Sequence, residues 1–252
     1  MVEAREIEGA LSLYVTAAIR CETDHQVDNR LMAQALQRAY QGRGGVLHQN
    51  STVERIVIEN GNATDVQTED GFQAADTLIL AAGCWSGQIN GLPGTIIPPV
   101  RPVKGQMLAL KMREDIMIKN VIRTVKARYP IPVYLVPRTD GRLIVGATTE
   151  ELGFDTDLTV GGIYELLHGA CEAVPGIYEL PTIETWTGLR PGSRDNAPIL
   201  GKTPVENLIY ATGHYRNGIL LTPITAYEIS KLILTGETSE TIIGFRLDRF
   251  LR

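Results

Sequence analysis

The chain is poor in cysteine. Three occur in 252 residues, Cys21, Cys84 and Cys171. An odd number at such wide spacing excludes a disulfide framework and a cysteine-built zinc site, and suits reduced thiols in a cytoplasmic protein. Histidine is scarce too: the four present show no metal-ligand spacing, so no metal is expected. Basic residues are outnumbered, 24 Lys and Arg against 29 Asp and Glu, for a net charge of −5. With no basic stripe, nucleic acid is excluded as a partner. No apolar run approaches the roughly 20 residues of a membrane span. The opening MVEAREIEGA is acidic and has no apolar h-region, so it does not read as a signal peptide. There is no internal repeat and no low-complexity segment. What remains, 44% hydrophobic and 21% charged, is the composition of a soluble globular protein. Its length suffices for a sizeable core in one large domain or two.

Periodicity divides the chain into blocks. "ALSLYVTAAI" (residues 10–19) alternates in part and reads as a strand. "DNRLMAQALQRAYQGRGG" reads as a helix. Asp28 is placed to cap it, Leu31, Ala35, Leu36 and Ala39 lie at helical spacing, and the glycines after Tyr40 end it. Val53 to Glu59 alternates, Ala63 to Glu69 returns and Phe72 leads into a last run, a three-stranded meander with "NG" and "DG" at the turns. "TLILAAG" is continuously apolar, as a parallel strand buried on both faces would be. From Pro98 to about Glu150 strands return, with a hairpin "VYLVPRTDGRLIVGAT". Residues 159–174 read as a helix stopped by Pro175, followed by a strand "IETWTGLRPG". "NLIYATGHYRNGILLTPITAYEISKLILTG" closes the chain as strand, glycine loop and helix. In that helix Ile224, Tyr227, Glu228 and Leu232 recur in periodic order.

The expected fold class is α/β with an α+β portion: a parallel sheet interrupted by a separate antiparallel sheet, two intertwined domains with a site between them. Residues 1–25 then supply a strand of the antiparallel domain and 98–184 its body. Residues 26–97 and 185–252 make the parallel-sheet domain.

Two stretches resist a purely structural reading. In "GLRPG", Arg190 stands between glycines on an apolar strand that has no use for a guanidinium. In "ATGHYRNGILLTP", Gly213 and Gly218 let backbone approach something, and the helix that follows presents unpaired N–H groups and partial positive charge. Such an end favours an anion or electron-rich oxygen. The loop alone fits equally a glycine-rich turn with a solvated Arg216.

Taken in order, "TLILAAGCWSG", "RPVKGQMLAL", "VYLVPRTDGRLIVGAT", "GLRPGSRDNAPILG" and "ATGHYRNGILLTPITAYEISKLIL" resemble the D-amino-acid oxidase superfamily of flavoproteins, and within it the glycine oxidases of thiamine biosynthesis. The resemblance covers nearly the whole chain, with "GLRPG" and "GHYRNGILL" its most specific pieces. It implies FAD as cofactor, a small amino acid and dioxygen as substrates, and an incomplete Rossmann-like FAD domain intertwined with an antiparallel substrate domain. By position it implies that Arg190 grips the substrate carboxylate bidentately, that the Tyr134 hydroxyl holds the same carboxylate, and that Arg216 is a second arginine at the substrate end. For the cofactor it implies Val53 at the adenine, and Ala82, Gly83 and Trp85 at the strand end beneath the ring system. It also implies that Gly213, His214, Arg216, Asn217, Gly218, Ile219 and Leu220 cover the pyrimidine side of the flavin. Relatives often assemble as dimers or tetramers, and in some the chain runs on into thiazole synthase.

The chemistry is consistent with those residue types. A guanidinium fork fixes a carboxylate in place and orientation, and a helix N-terminus favours the negative charge of a reduced flavin. No side-chain base is needed if the amine binds unprotonated, and no histidine or carboxylate stands out as one. Arg138, Arg194 and Asp195 read as solvated loop positions, Trp85 and Trp186 as packing, Cys84 as a small filler and Lys104 as structural.

One departure is large. The strand, G-x-G-x-x-G turn and helix that hold the pyrophosphate in that superfamily have no counterpart; "GRGG" at 42–45 follows a helix and is wrongly spaced. The chain therefore reads as the C-terminal two-thirds of such an enzyme. Two alternatives stay open: a flavin-free binding module, and a different flavoenzyme such as sarcosine oxidase, D-amino-acid dehydrogenase or another D-amino-acid oxidase.

Overall fold

The computed structural model describes residues 2–125 and 132–251. In chain order the elements are α1 (Val2–Ile7), α2 (Asn29–Gly42), β1 (Arg55–Glu59), β2 (Asn62–Thr68), β3 (Gly71–Ala74), β4 (Leu78–Leu80), β5 (Arg101–Lys111), β6 (Ile122–Arg123), β7 (Tyr134–Pro137), β8 (Arg142–Gly146), α3 (Val160–Ala173), β9 (Thr182–Gly192), β10 (Ile199–Lys202), β11 (Leu208–Thr212), α4 (Gly218–Thr235) and α5 (Glu240–Ile243). They divide into two compact units, residues 1–37 with 104–188 and residues 38–103 with 189–252. The borders fall inside α2, β5 and β9. Among the described residues no helix is long and apolar enough to cross a membrane.

The first unit is a five-stranded sheet in the order β6-β7-β8-β5-β9, with β6–β7, β7–β8 and β8–β5 antiparallel. Leu108, Leu110, Leu135, Leu143 and Val145 pack under Leu166, Ala170 and Ala173 of α3. Thr159 caps α3 by accepting the Gly162 N–H at 3.1 Å. Lys104, the structural lysine of the sequence reading, is fully buried and ion-paired to Asp155 at 2.6 Å. Asp28 caps α2 as expected, accepting the N–H groups of Arg30 (3.0 Å) and Leu31 (3.1 Å), and its other oxygen takes Arg142 at 3.0 Å. Arg138 is no solvated loop residue: it donates to Gln26 and to the Val27 carbonyl. Trp186 lies under the Arg30 guanidinium, 4.9 Å from the ring centre.

The strand expected at residues 10–19 does not form. The chain there enters no ladder among the described residues. It is tied by Ser12 N–H to the Ala173 carbonyl and by Arg5 to the Ser12 and Leu13 carbonyls. Ile19 is 99% exposed. Partial alternation needs a neighbouring strand to become a sheet, and the described residues offer none.

The second unit carries the meander β1-β2-β3 and a sheet ordered β10-β11-β4. At the first meander turn Asn60 (φ 51°) and Gly61 (φ 83°) are both left-handed, as a two-residue turn between right-twisting strands requires. β11 runs parallel to β4 and antiparallel to β10. One side packs Leu80, Ile96, Ile199, Leu208, Tyr210 and Leu247; the other packs Leu200, Ile209, Ile229, Leu232 and Ile242. β4 is parallel, as its apolar run indicates, but buried on one face only. Ile79 is 44% exposed, because β4 is the edge strand among the described residues. In α4 the buried face is Glu228, Ile229 and Leu232, while Ile224 and Tyr227 are exposed. That helix is apolar almost all round, so periodicity could not select its inner face. In α2 no residue is buried, and Leu31 is 61% exposed.

Candidate active site

In the second unit the parallel strands β4 and β11 end side by side, Tyr210 opposite Leu80. Past β4 the chain turns at Ala82 into a single 3-10 turn, Gly83–Trp85, where Gly83 has φ 55°. Past β11 it turns at Gly213 (φ 73°) through His214, Tyr215, Arg216 and Asn217 into α4. A pair of buried hydroxyls bolts the two turns together. Thr212 Oγ1 donates to the Gly83 carbonyl at 3.1 Å and lies 2.7 Å from Ser86 Oγ. Neither hydroxyl was singled out in the sequence; a threonine and a serine at the ends of apolar runs were the only signal.

A third chain segment joins them. β9 carries Arg190, half-buried, and continues to Pro191 and Gly192. The Pro191 carbonyl accepts the Tyr215 N–H at 2.9 Å, and Gly192 forms an isolated bridge with His214. Arg190 is thus one residue from a direct tie to the glycine loop. The turn after it is braced from two sides: Arg101 donates to the Ser193 carbonyl, and Arg249 pairs with Asp195 at 2.9 Å. Asp195 is exposed, as a solvated loop position would be, and its ion pair also makes it a structural anchor. The Arg249 hydrogen bonds, ahead of those from Ala197 N–H and Ser193, hold its carboxyl well below the usual carboxylate range. Arg194 lies 5.9 Å above the Phe250 ring.

At the start of α4 the Asn217 side chain makes no capping hydrogen bond. The first-turn N–H groups of Gly218, Ile219 and Leu220 keep no side-chain acceptor from it, which leaves a positive helix end available to an electron-rich group. Arg216 is exposed and lies 5.4 Å from the Tyr215 ring. His214 Nε2 sits 3.0 Å from Thr225 Oγ1, tying the loop to the second turn of the helix. Burial pushes the His214 pKa below its ordinary 6.5. Burial likewise pushes the thiol of Cys84 up, in keeping with an inert filler.

His214 makes a pH prediction. Its folded pKa is depressed, so between that value and 6.5 the unfolded chain binds more protons than the folded one. Stability from this group is complete above pH 6.5 and falls as pH drops below it. Urea midpoints at pH 7.5 and 5.5 should differ more in the native protein than in His214→Asn; equal differences would refute the assignment.

The expected site residues divide as follows. Ala82, Gly83, Trp85, Gly213, His214, Arg216, Asn217, Gly218, Ile219 and Leu220 converge at one end of the second unit, with the Arg190 strand hydrogen-bonded to them. Trp85 is 55% exposed there. Val53 lies apart in the same unit, just before β1 of the meander. Tyr134 belongs to the first unit, on β7 opposite Gly146, with its Oη 3.6 Å from Met107 Sδ. Among the described residues no His, Cys, Asp and Glu cluster could hold a metal.

Parallel strands ending at a glycine turn and an uncapped helix N-terminus define an α/β unit of the kind that binds nucleotide cofactors. The chain matches the FAD dependent oxidoreductase (DAO) family over residues 1–232 and belongs to it. It is 43% identical over 228 residues to the bifunctional protein ThiO/ThiG of Synechocystis sp., a match covering 90% of this chain and 34% of that one. It is 32% identical over 252 residues to the glycine oxidase of Geobacillus kaustophilus, covering 99% of this chain and 64% of the other. The crystal structure of glycine oxidase from that organism superposes with a TM-score of 0.89 at 31% identity, over 98% of this chain and 65% of that one. The chain thus spans about a third of the bifunctional relatives and under two thirds of the glycine oxidase.

Proposed function

We propose that this chain serves FAD-dependent oxidation of glycine, or another small amino acid, to the imino acid, with dioxygen reduced to hydrogen peroxide. The observation that carries the reading is the hydrogen-bonded junction of the Arg190 strand with the Gly213–Gly218 loop. It joins a cation fit to hold a carboxylate to a helix end fit to face a flavin. The residues present suit the ring end of FAD, since the α4 N-terminus lacks a side-chain cap and can meet an electron-rich carbonyl. When bound, FAD would supply the acceptor for the hydride that leaves the α-carbon with its two electrons.

The chain's own work is placement. Arg190 holds the carboxylate through two parallel N–H donors, fixing position and plane together. Tyr134 adds a hydroxyl donor to the same carboxylate, and Arg216 adds positive charge at the substrate end. Gly213 to Leu220, with Ala82, Gly83 and Trp85, line the ring, and Val53 lies toward the adenine. Residues 98–184 serve the substrate and 26–97 with 185–252 the cofactor. The amine enters neutral, and its lone pair forms the C=N bond as the α-hydrogen departs, so no protein base is required. The name of the ThiO/ThiG relatives supports a role in thiamine biosynthesis with a link to thiazole synthase; a cytoplasmic location and a homo-oligomer belong to the same proposal and have no support from that name.

The test begins with the purified chain mixed with FAD and desalted. A retained flavin absorbance band is expected, followed by oxygen uptake and peroxide with glycine and little with larger D-amino acids. A colourless protein would assign the chain to flavin-free binding. Dye reduction by D-alanine without oxygen uptake on glycine would assign it to a dehydrogenase.

A further inference from the structure

The inference rests on the reading of Tyr134 as a carboxylate-holding donor and concerns what aims its hydroxyl. Met107 in β5, Gly146 in β8 and Tyr134 in β7 lie abreast, Gly146 being paired directly with both. Side chains abreast in a sheet point the same way, and strands two apart are separated by about 10 Å. An upright phenol would miss Met107. Instead Tyr134 Oη lies 3.6 Å from Met107 Sδ, so the ring lies across the sheet. It crosses where Gly146 has no side chain: a Cβ there would meet Oη at 2.5 Å, Cζ at 2.6 Å and Cε2 at 2.8 Å. The backbone of Gly146 is not left-handed, so no positive φ calls for glycine there. The aromatic ring above it does.

We propose that Gly146 and Met107 are positioning residues for the Tyr134 hydroxyl, the glycine letting the ring lie flat and the thioether tethering the O–H until a carboxylate claims it. A thioether is a weak acceptor. It restrains the hydroxyl in the free protein yet gives way to a charged oxygen, whose hydrogen bond is stronger. A carbonyl or carboxylate at position 107 would compete with the substrate instead.

The test labels the tyrosines of the full chain with 13C at Cζ and identifies the Tyr134 signal by its loss in Tyr134→Phe. The probes are acetate and glycine, titrated without regard to turnover. In Gly146→Ala the Tyr134 signal moves in the free protein and acetate affinity falls about tenfold, the size of one hydrogen bond to a charged group. In the Tyr134→Phe background the same alanine has no further effect on affinity, as two changes acting through one contact require. Met107→Leu keeps the volume and tests the tether without crowding the backbone. It shifts the free-protein signal and leaves the acetate-bound signal at its native position. An unmoved free-protein signal in Gly146→Ala, or an alanine penalty that persists without the hydroxyl, overturns the proposal. If acetate and glycine leave the native Tyr134 signal untouched, the carboxylate role fails. The free-protein signals of the two variants then separate that failure from a failure of the flat-ring geometry.

Discussion

Replacing Arg190 with alanine is expected to lower kcat/KM for glycine in the flavin-loaded protein by about a thousandfold, most of it as a rise in KM. Removing one member of a desolvated, bidentate ion pair costs about 4 kcal/mol, and each 1.4 kcal/mol is a factor of ten. The carboxylate does not react, so the loss falls on binding common to the ground and transition states and appears chiefly in KM. Lysine in its place keeps the charge but loses the fork, so Arg190→Lys should recover only part of the loss. The brace around the arginine separates this from collapse of the site. The tie of Tyr215 N–H to the Pro191 carbonyl and the anchoring of Asp195 by Arg249 are independent of the 190 side chain. Flavin retention should therefore survive in Arg190→Ala. An unchanged KM for glycine, with flavin retained, would remove Arg190 from the substrate.

Much of this architecture is legible in the sequence because local chemistry and tertiary packing agree there. "NG" and "DG" at the meander turns, Asp28 before α2, Thr159 and Pro175 around α3, and Gly236 at φ 75° behind α4 each mark a boundary that the backbone obeys. The glycine loop before α4 was legible for the same reason: few other residues tolerate a turn that sharp beside a helix start. What failed depended on neighbours far along the chain. Among the described residues, 10–19 have a strand's composition but no ladder, and Ile79 has a core residue's composition at an edge. Asp195 is exposed, as its loop position indicates, but its pairing was not legible because Arg249 lies 54 residues away. Gly146 passed as an ordinary strand residue because its meaning is a ring on the adjacent strand.

Asn207 is the sharpest example of a residue invisible in sequence, and it carries the largest expected loss of stability. It sits in the turn before β11, yet its side chain acts as a strand partner. Oδ1 accepts the Ala63 N–H at 2.7 Å, while Nδ2 donates to the Ala63 carbonyl at 2.6 Å and to the Asp76 carbonyl at 3.0 Å. Ala63 is only 1% exposed, so no water readily replaces the amide. One side chain thereby joins β2 of the meander, the approach to β4 and the approach to β11, the two strands whose far ends lead into the Gly83 and Gly213 turns. Asn207→Ala is expected to cost about 2 kcal/mol in urea unfolding at pH 7, the price of leaving buried backbone groups unpaired. Asn207→Asp should be at least as harmful at pH 7, because it turns a carboxylate toward two carbonyls while keeping only the acceptor. As pH falls, that carboxyl protonates, becomes a donor again, and should regain part of the loss that alanine cannot. Equal midpoints for the native protein and Asn207→Ala, or an aspartate variant with no recovery in acid, would show that the amide is not the joint its geometry describes.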